Sequence, residues 1–166
     1  MDIFHEQLVK IKTTPAVIVS KVLMWLAAVL IVAACVVFSL SVTPLLLFLA
    51  AGAVYIAYKV NGMLNIEFEY VVTNGIVDID KIINKSDRKR TVSFECRNIE
   101  SIVKWNGERN NNTKTYVCCD NDGALCFSVS PENGEKCYVV FAPDSELLNA
   151  MKPFIPRAVL KEIGEI

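Results

Sequence analysis

Hydrophobic and polar residues alternate in three different ways along this chain. Ile3, Phe4, Leu8 and Ile11 recur at helical spacing within residues 2–12, with Glu6, Lys10 and Lys12 between them, which predicts a short amphipathic helix. Residues 22–40 then run for 19 positions without a charge, and residues 42–58 for 17 more. At the α-helical rise the first run spans roughly 28 Å, about one hydrocarbon core, and the second just reaches with its flanks. Neither run shows a polar face, and the uncharged link around Thr43 and Pro44 is tight, so the pair predicts a transmembrane hairpin. From residue 66 the period changes to two. Ile66, Phe68, Tyr70 and Val72 alternate with Glu67, Glu69 and Val71, as in a half-buried strand.

Asn74-Gly75 follows, the pair that a two-residue type I′ hairpin loop requires. That loop places Val72 opposite Val77, Tyr70 opposite Ile79 and Glu69 opposite Asp80, so apolar meets apolar on one face. Further strands are expected over residues 90–96, 99–105, 114–120, 124–129 and 136–142, separated by the turns "NGERNNN", "NDG" and "SPENGE". Asp144 or Ser145 then caps a helix over "SELLNAMKPF", and "RAVLKEIGEI" is a second short helical piece or a loose tail.

Composition sharpens this picture. The 53% hydrophobic content of the 166 residues is concentrated in the two apolar runs, leaving residues 61–166 polar enough for a small soluble domain. Lys10, Lys12 and Lys21 precede the first span, Lys59 follows the second, and the connecting loop is uncharged. The positive-inside rule therefore places both termini in the cytoplasm of a multi-pass cell-membrane protein. Cys35 lies in the first span as a small apolar residue, and in the cytoplasm Cys96, Cys118, Cys119, Cys126 and Cys137 are expected as thiols, with Cys118 and Cys119 alternating in and out of a strand, one buried and one exposed. No CxxC pair occurs, and the one histidine, His5, is expected as a solvated side chain. No metal, cofactor or catalytic residue is therefore expected, and the chain reads as a non-enzyme.

Two charged features stand out. Lys85, Arg88, Lys89 and Arg90, in the basic run after the second strand, are the candidate anionic-lipid contacts, because the hairpin returns this segment to the membrane-proximal end. A nucleic-acid patch is not expected, since the run lacks interleaved aromatics and the net charge is −1. Glu67, Glu69, Asp78 and Asp80 crowd the opposite face of the hairpin, where like charges need an offset from lysines of the next strand, solvent, a cation or a basic partner.

Seven antiparallel strands and a terminal helix are the order of a PH-like barrel. The N-terminal "FHEQLVKIK", the two spans and "EFEYVVTNGIVDIDKIINKSDRKR" together resemble bacterial, Firmicutes-type small two-span membrane proteins, related to membrane-anchored PH-domain proteins. That resemblance implies a cytoplasmic PH-like domain on a two-helix anchor, and brings no catalytic residues. The expected organisation is an interfacial segment over residues 1–14, a transmembrane hairpin over 15–60 (spans at 22–40 and 44–60), and an all-β PH-like barrel of about seven antiparallel strands with a C-terminal helix over 61–166. The expected role is a binding or scaffolding module, the alternatives being an anionic-lipid sensor or an accessory subunit of a membrane complex. Its expected partners are membrane lipid and a protein, with a second copy as a further option through Ala50, Gly52, Ala53 and Ala57.

Overall fold

Alternation of side chains decides the second strand, and the hairpin beyond it forms as the Asn-Gly pair dictates. In a computed structural model describing residues 3–41, 43–107, 113–120, 123–130 and 135–163, Asn74 and Gly75 have φ of 49° and 87°. Parts of all three polar turns, at residues 108–112, 121–122 and 131–134, lie outside the described residues, as does the tail from residue 164. The chain divides into two units, residues 12–66 and residues 1–11 with 67–166.

The first unit is a helical hairpin. Helix α1 runs from Pro15 to Ser41 and α2 from Leu46 to Met63, so both extend beyond the uncharged runs. The seam between them repeats at three and four: Val17, Lys21, Met24, Ala28, Val32, Cys35 and Ser39 on α1, and Leu46, Ala50, Ala53 and Ala57 on α2. This is heptad spacing, and the small alanines let the two backbones approach. Ala28, Ala50 and Ala57 are buried in it. Lys21 donates a 2.8 Å hydrogen bond to Asn65 beside the seam's open end. Away from the seam, large apolar side chains such as Leu30, Phe48 and Ile56 are exposed. Both helices are long and apolar enough to cross a membrane, and only 6% and 17% of their most apolar windows are buried.

The second unit holds eight strands in two four-stranded sheets. One sheet is a meander of β1 (Phe4–Lys10), β2 (Ile66–Thr73), β3 (Ile76–Ile83) and β4 (Asp87–Glu95). The other has the order β5-β7-β8-β6, from β5 (Ile99–Lys104), β6 (Lys114–Val117), β7 (Leu125–Val129) and β8 (Cys137–Phe141). A short 3₁₀ turn, Cys96–Asn98, links the sheets. Three expectations are corrected here. The N-terminal segment is a strand paired with β2 along its whole length, in place of an amphipathic helix. The strands do not close into a barrel; α3 (Ser145–Met151) packs on β1 and α4 (Arg157–Ile163) on β5, one edge strand of each sheet. And β6 lies parallel to β8, so the strands are not all antiparallel.

The core lies between the sheets. Phe141 from β8 stacks on Phe127 at 4.5 Å between ring centroids, and meets Tyr70 and Phe94 of the first sheet edge-on at 5.2 and 6.3 Å. Tyr70 and Phe141 are fully buried, and the Tyr70 hydroxyl donates a 2.7 Å hydrogen bond to the Cys118 carbonyl, so its one polar atom is satisfied. Leu147 and Met151 of α3 are also fully buried. Asp144 caps that helix by accepting from the Leu147 amide at 2.7 Å, as its position in the sequence predicts. The 3₁₀ turn Lys152–Phe154 follows, and Phe154 lies against the hairpin tip: a Cβ on Gly75 would come within 2.7 Å of its ring.

Candidate functional site

The outer face of the first sheet gathers the charges. Glu67 and Glu69 come from β2, and Asp78 and Asp80 from β3. Opposite them, the register of β3 and β4 slips by one residue: Ile79 faces Val92 but Asp80 faces Arg90, leaving Thr91 as a bulge. Since side chains alternate across a strand, this extra residue turns Arg90 and Arg88 onto the acidic face; without it they would point the other way. Arg90 bridges Asp78 and Asp80 at 3.2 Å each, and Arg88 reaches Glu69 at 2.6 Å. The offset that the acidic face needs therefore comes from β4.

The four basic residues singled out by sequence are thus separated. Lys85 sits in the β3–β4 turn with φ of 58°, while Arg88, Lys89 and Arg90 belong to β4 itself. The arginines spend their charge within the sheet. Lys89 faces Lys81 directly across β3 and β4, a like-charge pair of the kind that costs stability unless something negative is near.

β1 adds residues that the sequence placed on a helix. Glu6, Leu8 and Lys10 project to the same outer face and, with Glu69, Lys85 and Arg88, line an open groove of about 400 Å³. Glu69 is only 3% exposed, a rare position for a carboxylate. Burial pushes its carboxyl above the ordinary range; Arg88 opposes that, and a hydrogen bond shared with the Glu6 side chain adds to it. On β1's other face His5 is mostly covered rather than solvated, with Nε2 3.7 Å from Asp144 and Nδ1 4.0 Å from Glu146. The signal for this strand is its strict one-in, one-out alternation, which carries mixed residue types on both faces and so escapes a search for apolar periodicity.

Burial disfavours the thiolate at Cys96, Cys118, Cys119, Cys126 and Cys137. Cys118 and Cys119 are both buried, which corrects the expectation of one exposed: the chain leaves β6 at Val117, so strand alternation no longer applies. Burial pushes Cys96 and Cys118 up to about 12 and Cys119 up to about 11. Lys114 lies opposite Cys137 and lowers its thiol, but burial outweighs it and the net shift is upward. Among the described residues no group of three or more His, Cys, Asp or Glu side chains is placed to hold a metal ion.

Two sheets, a helix closing the C-terminal side and an aromatic core between them are what a PH-like domain requires, and the family model described as bacterial PH-like domain (DUF6106) matches residues 1–161. The chain belongs to that family. The match covers β1 and both long helices as well as the β domain, so all of them are part of the family's pattern. No curated protein and no solved structure matches the chain.

Proposed function

We propose that this chain is a membrane-anchored, non-catalytic binding or scaffolding module, whose PH-like domain is held at the cytoplasmic face of the cell membrane by the α1–α2 hairpin. The observation that carries the reading is the surface of that hairpin. Its seam is filled by its own small residues, while its outer surface is apolar along both helices. Water tolerates such a surface poorly, and a bilayer covers it. Lys10 and Lys12 before α1, Lys21 in its first turns and Lys59 near the end of α2, with no lysine in the connection, support the cytoplasmic side for both termini. Membership of a PH-like family supports binding by a protein partner and membrane lipid over catalysis, although fold alone does not name the partner.

Fractionation tests the anchor. The full chain, expressed in a bacterium, is expected to stay in the membrane pellet through high-salt and alkaline carbonate washes. Release by either wash would remove the anchor and leave the hairpin to be covered by protein.

A second reading, contact with anionic lipid at the β3–β4 turn, is favoured by the Lys81–Lys89 juxtaposition and by Lys85 beside it. Arg88 and Arg90, engaged with carboxylates, contribute less to it than the sequence implied. In nanodiscs, hydrogen exchange over residues 84–89 should slow when anionic lipid replaces neutral lipid. Equal exchange in both would set this contact aside.

A further inference from the structure

Each sheet ends in two edge strands, and β4 is the long one with no helix packed extensively on it. α3 packs on β1 and α4 on β5, and β6 is only four residues long. β4 runs for nine residues, and among the described residues β3 is the one element that packs extensively against it. Asp87–Arg90 are all exposed and form a regular run before the bulge at Thr91. Every second residue of an edge strand turns its amide and carbonyl away from its neighbour, so this run presents backbone groups to whatever lies beside it.

The charges along the run are unevenly matched. On the outer face Arg88 and Arg90 are paired with Glu69, Asp78 and Asp80. On the opposite face Lys81 and Lys89 stand directly across from each other, and neither has an ion-pair partner among the described residues. Asp87 shares that face of β4 but lies opposite Ile83, and it forms no ion pair with Lys89. A further strand would set one side chain beside Lys89 and extend the row by one. A carboxylate there would meet a cation directly across, while a lysine would repeat the repulsion. The same run disfavours edge-to-edge pairing with a second copy, which would bring its own Arg88, Lys89 and Arg90.

We propose, resting on the reading of this domain as a binding module, that β4 receives an extended acidic segment of a partner protein as a fifth strand. Backbone hydrogen bonds to the β4 edge hold the segment, and its carboxylates select it through Lys89. The bulge limits the match, since pairing in one register runs along Asp87–Arg90 and shifts at Thr91. A lipid headgroup would satisfy the lysines but leave the strand edge unpaired, so the edge favours a peptide.

Hydrogen exchange tests this on the full chain in neutral-lipid nanodiscs, read by mass spectrometry. The probe is a synthetic peptide as long as β4, nine residues, that alternates glutamate with threonine. At millimolar concentration it is expected to slow exchange over residues 87–95, whereas a peptide with lysine in place of glutamate leaves exchange unchanged. An N-methylated acidic peptide, which keeps the charges but donates no backbone hydrogen bonds, should also leave it unchanged. Lys89→Glu, with β7 still protected, should raise the acidic peptide concentration needed for half the effect by roughly three- to tenfold, as an attractive cross-strand pair becomes repulsive. No slowing over residues 87–95 with the acidic peptide, or equal slowing with its N-methylated form, would overturn strand addition at β4. Slowing confined to another strand would overturn it too, while keeping the binding module.

Discussion

Arg88 and Arg90 look equivalent in the sequence, yet their partners differ. Glu69 is nearly sealed from water, so truncating Arg88 leaves a buried carboxylate without its cation. Arg88→Ala is expected to destabilise the β domain by about 1–3 kcal/mol, since a buried charged group loses its hydrogen-bond partner. Arg90→Ala should cost less, because Asp78 and Asp80 remain accessible enough for water to replace the guanidinium. Paired thermal melts of the two variants check the order, and equal losses would contradict it. Gly75 is a second such position. Alanine there meets a φ of 87° and the Phe154 ring at 2.7 Å, and about 1–3 kcal/mol of destabilisation is expected from overpacking and backbone strain together. Phe154→Ala should recover only the steric part, a difference the same melts resolve. The buried thiols make a third case: raised to about 12 and about 11 by burial, Cys118 and Cys119 should resist maleimide at pH 7.5 in the native protein and react once it is denatured. Native-state labelling at either residue, seen by mass spectrometry, would contradict their placement.

At the scale of elements, the β2–β3 hairpin was fully legible. Alternation and Asn74-Gly75 point to the same structure, so local and tertiary preferences agree. β1 was not legible, because "FHEQLVK" offers apolar residues at helical spacing by coincidence. What makes it a strand is the open edge of β2, a partner more than fifty residues away in sequence. The bulge at Thr91 was equally hidden: nothing local marks it, yet it decides that Arg88 and Arg90 face the acids. The acidic cluster was therefore readable, but not its partners. β1 carries its own prediction. Deleting residues 1–10 should lower the melting temperature and promote self-association, since β2 would present an unpaired edge. Size-exclusion profiles unchanged by the deletion would count against β1 as the strand that closes the sheet. Asp144→Ala, which removes the α3 cap, should cost about 1 kcal/mol.

For the molecule as a whole, length and apolarity marked the two long helices from the sequence, and the order of strands marked the PH-like domain. Barrel closure did not follow, because strand order alone does not say whether the edge strands of the two sheets meet. The central claim joins these parts: two spans hold a PH-like domain on the cytoplasmic side. Site-directed labelling tests it most directly. A cysteine replacing Thr43, between the helices, and separately one replacing Ser86, in the β3–β4 turn, are treated with a membrane-impermeant maleimide in intact and in permeabilised cells. The account predicts that the cysteine at position 43 is labelled in intact cells and that at position 86 only after permeabilisation. Labelling at position 86 in intact cells would contradict it.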